Sequence, residues 1–523
     1  MILNLLVFFI FSIFSLFSII GYGSLITNFN LKDRKIENFV NFFFGLIFLN
    51  VIGFVLYYLN LSNEYLNLVI LFVGLIFLKN KLNKQIFLNY LLISILLFSG
   101  LLISKLHEDW SYHFSFIEQI TNHKPIIGIG NSEDIHVVST SFFSFIQKIF
   151  YLPYYEFRFV LTPVYLIYLN LIFILINLAM NSNKKIILIY LMLIVILVVK
   201  LSRLSEYGYD YLASYVLISI FIIYFVSKIE KYKVYNLYEI YFVLFIFAIS
   251  IKVTSILFLP IFIYILISEK DKFKEIKFSN IILLVFIFSI VFFAENFFRT
   301  GCLLYFFEYT CFEGNNISWS IDYQRIRDHS LHAELWAKGY YHQENILNKF
   351  DYLKNFNWLE NWIKIHFFYK IIEFLIIPLF FLLLSIVAFR RLKLDKNSFY
   401  FFLAAAISFL LWFLNIPQLR FGSGIIIALF ISLIFITTDI NSKMKIERKK
   451  IVVFFICCFL VFNFKNINRI KKEFERKDRH KFTNFPFPPK NRLQSIILKD
   501  KSTKYLLISE KELKKTLWFY VVY

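Results

Sequence analysis

Eight ionisable residues break or border long apolar runs, and their types define the chemistry open to the chain. Glu108, Asp109 and His113 arrive together in HEDWSYH; on a helix, Asp109 and His113 lie four apart and share one face. An Asp so placed suits general-base work or metal ligation, with His113 positioning it or the acceptor. The pair offers two ligands to a divalent cation such as Mg or Mn, with Asp109 the first candidate. Arg203, Glu206 and Asp210 crowd SRLSEYGYD, Lys252 has apolar sequence on both sides, and Arg420 sits in NIPQLRFG. The planar, always-charged guanidinium of Arg420 suits bidentate contact with phosphate, and Lys252 or Arg203 would add charge. Carboxylate plus cations at one membrane surface points to chemistry on a lipid phosphate. A plainer reading stands beside it: polar residues solvate helix ends, and Arg203 pairs with Glu206 or Asp210.

The elements that must position these groups are membrane helices. Of 523 residues, 59% are hydrophobic, against about 45–50% in a soluble domain, and they come in blocks of few charges. The fold class is all-α and polytopic. We expect about 13–14 transmembrane helices, at 2–22, 39–59, 65–78, 86–104, 159–180, 186–201, 212–226, 237–251, 253–267, 281–294, 367–389, 398–414, 424–438 and 451–464. The first run lacks a basic leader and a small-residue cleavage site, so it reads as a span rather than a signal peptide. The run 237–267 is split at Lys252 because only the split keeps later loops in phase.

Net charge of +21 is distributed by topology rather than gathered for nucleic acid. Seven short connections (27–38, 79–85, 181–185, 228–236, 269–279, 390–397, 439–450) hold 24 Lys or Arg in 64 residues; the alternate set (60–64, 105–158, 202–210, 295–365, 415–421) holds 13 in 146. The positive-inside rule then places the second set outside, with every candidate site residue. Residues 1–464 form one transmembrane domain, and the basic tail 465–523 is expected outside.

Within external loop 105–158, HFSFIEQI and TSFFSFIQKIF read as amphipathic helices lying in the membrane interface. In external loop 295–365, Trp358 and Trp362 precede a span and read as an aromatic belt, while Cys302 and Cys311 are candidates for a disulfide. Cys457 and Cys458, inside an apolar run, read as packing residues. The chain has no GxxxxGK[ST], no GxGxxG at a strand-to-helix turn and no HExxH, so soluble nucleotide chemistry has no support.

The arrangement resembles the GT-C superfamily of membrane glycosyltransferases, in which an acidic residue of an early external loop is catalytic and amphipathic helices follow it. Asp109 of HEDWSYH occupies that place; the superfamily's paired acidic motif is represented only by Glu108–Asp109, and four spans rather than one precede it. More narrowly, DWSYH, GIGN (128–131), RLSEYGYD, RTGCLLY (299–305) with TCF (310–312), and WFLNIPQLRFG (412–422) are similar to a family of uncharacterised bacterial polytopic proteins. The resemblance implies an inner-membrane enzyme, active on the periplasmic face, moving a sugar with inversion from a polyprenyl-phosphate donor to a glycan, lipid or protein. Its partners would be that donor and membrane lipids. Asp109 would be base or metal ligand; Arg420 and Lys252 would hold the donor phosphate. A lipid-linked oligosaccharide flippase, or an O-antigen polymerase or ligase, are the alternatives. The flippase reading expects pathway charges through the membrane depth and internal repeats, and the sequence has neither.

Overall fold

The computed structural model describes residues 2–522 apart from 28–32, 79–83, 99–108, 132–140, 155–158, 202–208, 233, 235, 272–278, 313–316, 343–346, 389–395, 445, 476–512 and 516–519. The described chain is helical nearly throughout. In order come α1 (Ile2–Thr27), α2 (Arg34–Tyr58), α3 (Glu64–Ile76), α4 (Lys84–Leu97), α5 (Asp109–Asn122), α6 (Ser144–Ile149), α7 (Thr162–Asn181), α8 (Ile187–Lys200), α9 (Tyr209–Lys228) and α10 (Leu237–Ile251). After a 3-10 turn at Val253–Phe258 follow α11 (Leu259–Ser268), α12 (Asn280–Thr300), α13 (Tyr323–Lys338), α14 (Lys349–Leu353) and α15 (Leu359–Trp362). A π-helical stretch, Ile363–Ile371, leads into α16 (Ile372–Ala388), and α17 (Lys396–Asn415), α18 (Leu419–Thr437) and α19 (Arg448–Glu475) complete the bundle.

Among the described residues, nine helices are long and apolar enough to cross a membrane, and five shorter apolar helices accompany them. Contacts between helix ends sort them onto two faces. On one, Lys35 Nζ donates to Asn177 Oδ1 at 2.6 Å, Lys228 Nζ donates to the Ser268 carbonyl at 2.8 Å, and Arg448 reaches Met180 and Asn181. Backbone hydrogen bonds from Lys185 to Ser442 and from Met444 to Asn183 join two loops there. On the other face, Phe8 stacks on Phe159, Tyr58 meets Phe298, and Trp362 Nε1 donates to the Pro417 carbonyl at 2.5 Å. The first is the basic face; the second carries the two long loops.

The break at Lys252 is a hairpin tip. Phe245 stacks on Phe262 with centroids 4.2 Å apart, and Tyr238 Oη donates to the Leu266 carbonyl at 2.8 Å, so α10 and α11 run antiparallel. Lys252 itself has extended backbone (φ −152°, ψ 118°) and caps the end of α10.

Packing is densest at α7 and α9, which are almost wholly enclosed, whereas α12, the 359–387 helix, α17 and α19 are about a third enclosed or less. Small residues let α1 and α3 touch backbone to backbone: a Cβ on Gly21 would stand 1.9 Å from the Gly74 carbonyl oxygen. The described strands form one small sheet. Ile126–Ile127 pairs in parallel with Tyr520–Val522, which pairs antiparallel with Leu513–Lys515. The last residues of the tail therefore pair with the Ile126–Ile127 segment of loop 105–158.

Two expectations are corrected. The helices α5 and α6 do not lie on a membrane surface: all of α6 is buried, with Phe145 against Phe54 and Phe142 against Phe288 and Phe292. Their aromatic faces meet protein because α2, α9, α10 and α12 end beneath them. Trp358 and Trp362 are likewise interior, packed on each other and on Phe413, rather than an exposed belt.

Candidate functional site

Asp109 is the first residue of α5, and His113 follows one turn later. The His113 ring is buried and meets the Tyr209 ring edge-on at 4.4 Å. Tyr209 opens α9, immediately before Asp210. Its hydroxyl lies 3.3 Å from Ser144 Oγ and donates to Gln147 Oε1, both on α6. Three chain segments thus converge at the first turns of α5 and α9. Glu108, Arg203 and Glu206 lie outside the described residues; Asp109 and Asp210 are placed by their positions in the helices.

The second half of the site surrounds the start of α18. The link from α17 is only residues 416–418, and Arg420 falls in the first turn of α18 rather than in a loop. A cation there opposes the helix dipole, so something else must hold it. Its Cζ lies 4.3 Å from the Trp336 ring centroid and 4.9 Å from that of Phe421, and Nε donates to Gln418 Oε1 at 3.0 Å. Gln418 is itself fixed, donating from Nε2 to the Trp336 carbonyl at 3.3 Å. Lys252 Nζ lies 5.3 Å from the centroid of the same Phe421 ring. Arg420 and Lys252, 168 positions apart in the chain, therefore share one aromatic ring.

Gly422 makes this geometry possible. A Cβ at that position would stand 2.2 Å from Trp412 Cε2, and Trp412, fully buried, donates from Nε1 to the Gln418 carbonyl at 2.9 Å. The two halves join through α9: Ser423 Oγ donates to Ser214 Oγ at 2.9 Å, and the Gly424 amide approaches the same oxygen at 3.3 Å. On the remaining side, the Phe142 amide donates to the Ser250 carbonyl, two residues before Lys252, at 3.2 Å. The starts of α5, α9 and α18 and the hairpin tip at Lys252 thus stand on one face.

Several charged groups here escape the sequence reading. Glu295 and Arg299 form a buried ion pair one turn apart on α12, with Arg299 Cζ 5.7 Å from the Phe116 ring of α5. The i, i+4 spacing in ENFFR was the available signal. Lys148 is fully buried on α6, donates to the Gly53 carbonyl at 3.1 Å, and burial pulls its ammonium down to about 7. Lys338 lies over Trp358 at 4.9 Å and pairs with Glu334. His366, buried in the π-helical stretch, has no hydrogen-bond partner at Nε2 among the described residues. No periodicity marks it.

Cys302 and Cys311 are joined in a disulfide. Cys457 is exposed on α19, whereas Cys458 is partly buried and packs against the core. Among the described residues, no three His, Cys, Asp or Glu side chains gather to hold a metal ion. No curated protein and no solved structure matches the chain. One family model does match, over residues 5–427, a stretch that includes Asp109, Lys252 and Arg420. That family is described as a domain of unknown function, DUF8201, and the chain belongs to it.

Proposed function

We propose that the protein is a GT-C-type membrane glycosyltransferase that moves a sugar from a polyprenyl-phosphate donor to a hydroxyl acceptor. All fourteen apolar helices cross the bacterial inner membrane in this reading. The short basic connections then face the cytoplasm and the loop face is periplasmic, as the charge asymmetry favours. The observation that carries the proposal is the convergence of Lys252 and Arg420 on Phe421, on the same face as the start of α5.

Two cations held against aromatic rings at the edge of the bilayer suit a phosphate whose lipid tail stays in the membrane. Arg420 and Lys252 bind the donor phosphate, and Asp109 accepts the proton of the acceptor hydroxyl as its oxygen attacks the anomeric carbon. The bond from that carbon to the phosphate oxygen breaks, and polyprenyl phosphate leaves with the electron pair. The two cations stabilise the charge it gains. His113, wedged against Tyr209, fixes the α5 turn that carries Asp109.

Asp109→Asn tests the proposal, since the amide keeps the size of the carboxylate but takes up no proton. The variant should insert at normal level, bind lipid-linked sugar, and lose transfer by roughly 10²–10⁴-fold, the usual worth of general-base assistance. Transfer in proteoliposomes, or loss of one surface glycan in cells, is the readout. Wild-type transfer in this variant would return HEDWSYH to an ordinary helix end.

A further inference from the structure

The chain leaves α12 at Thr300, turns at Gly301 (φ 73°), and is closed into a small loop by the Cys302–Cys311 disulfide. The inner side of this loop has a core of its own: Cys302, Tyr305 and Cys311 pack with Ile321 and Ile326. Tyr323 Oη donates to the Cys311 carbonyl at 3.1 Å, and Tyr305 Oη is hydrogen-bonded with His329 Nδ1. The outer side shows apolar groups instead. Leu303 is 41% exposed, Phe307 40%, Tyr309 94% and Phe312 47%. The one charge in the loop, Glu308, is held by Arg327 Nε at 2.9 Å. An apolar surface on a rigid, disulfide-closed platform calls for something to cover it.

What covers it follows from α12. That helix is only a third enclosed, and Leu283, Phe286, Ile290 and Phe293 form one exposed stripe along it, spaced three and four apart. In a membrane-spanning helix such a stripe faces lipid. The stripe runs on into the loop: Phe297, one turn after Phe293, meets Phe312 with ring centroids 5.8 Å apart, and the Phe312 amide donates to the Gly301 carbonyl at 3.0 Å. The exposed side of the loop therefore continues the lipid-facing side of the span at the level where the span ends.

We propose that the disulfide-closed loop 302–311, with Phe312, is an interfacial anchor whose Leu303, Phe307, Tyr309 and Phe312 sit at the boundary of headgroups and acyl chains. Phe and Leu supply the apolar area, and Tyr suits a zone with one wet and one dry side. The anchor fixes the height above the bilayer of the segment that carries α13, and with it Trp336 over Arg420. The inference rests on α12 as a span and not on the proposed chemistry.

The test places p-benzoylphenylalanine at position 309, and separately at 307, in the full chain in native membranes, with position 324 on the exposed polar side of α13 as reference. After irradiation, intact-mass measurement should show a shift of one phospholipid at 309 and 307 and none at 324. A cross-link to another polypeptide would make the surface a protein-docking site and overturn the proposal. Absence of adduct at both loop positions, or equal lipid adduct at 324, would overturn it as well.

Discussion

The two faces of the helix bundle use the same cations in different ways. On the basic face, Lys228 and Arg448 donate to the carbonyls of Ser268 and Met180, Lys184 donates to that of Ile229, and Lys35 donates to Asn177. Those carbonyls lie at helix ends or in the turns beyond, so the charge caps a helix C-terminus where the dipole favours it. On the loop face, Arg420 stands against the dipole of α18, and ring faces hold Arg420, Lys252 and Lys338. A ring contact fixes a cation through its face, worth about 0.5–2 kcal/mol, and polar partners add to it at Arg420, which donates to Gln418, and at Lys338, which pairs with Glu334. The difference teaches that cations on the basic face sit on helix-end carbonyls, where the dipole favours them, whereas Arg420, Lys252 and Lys338 on the loop face are packed against aromatic rings.

Substitution at matched positions breaks that comparison most sharply. Arg420→Ala should weaken donor binding by roughly 2–5 kcal/mol, the range for truncating one partner of a desolvated charge pair. Arg420→Lys should weaken it by roughly 1–3 kcal/mol, because a point charge lacks the planar fork. Arg448→Lys on the basic face should leave donor binding unchanged. Binding of a polyprenyl-phosphate sugar to purified variants reads all three, and equal losses at Arg420 and Arg448 would erase the distinction between the faces.

A second substitution acts through shape. Gly422→Ala forces its new methyl onto the buried Trp412 indole, which anchors Gln418 and through it Arg420. Overpacking of this kind typically costs about 1–3 kcal/mol. Thermal unfolding should fall accordingly, with donor affinity reduced alongside it; a Tm equal to wild type would mean that the α17–α18 corner yields freely.

Much of this architecture was legible in the sequence. Charge alternation separates the two faces because topology is set by Lys and Arg in short loops, and Lys252 marks a hairpin tip as the one basic residue in 237–267. The grouping of Asp109, Lys252 and Arg420 on one face follows from the same count. Long-range packing was not legible. The aromatic faces of α5 and α6 would look the same against lipid headgroups as against Gly53 and Phe54, so periodicity misplaced them. Trp358 and Trp362 have the composition of a belt, and only their contacts with Phe413 and Pro417 reveal a core. The Trp336–Arg420 stack joins residues 84 apart, with no local pattern to announce it.

A smaller, pH-linked effect sharpens the description of the loop face. Burial first, then Arg325 and His332, pull the His329 imidazole down from 6.5 to about 4. The native state therefore binds fewer protons than the unfolded chain between those values, and stability rises with pH through the window. Wild type should lose stability as pH falls from 6.5 towards 4, while His329→Gln should lack that component of the slope. Melting temperatures of both proteins across the window give the comparison, and parallel slopes would show that His329 is not the titrating group.

The most direct test of the two-face account is chemical labelling in intact cells. In a background with Cys457→Ser and Cys458→Ser, single cysteines are placed at Asn183, in an exposed turn of the basic face, and at Ser330, on the exposed side of α13. A membrane-impermeant thiol reagent should modify Ser330→Cys and leave Asn183→Cys untouched until the membrane is opened. Modification of both before lysis, or of Asn183→Cys alone, would contradict the placement of the candidate site on the outer face.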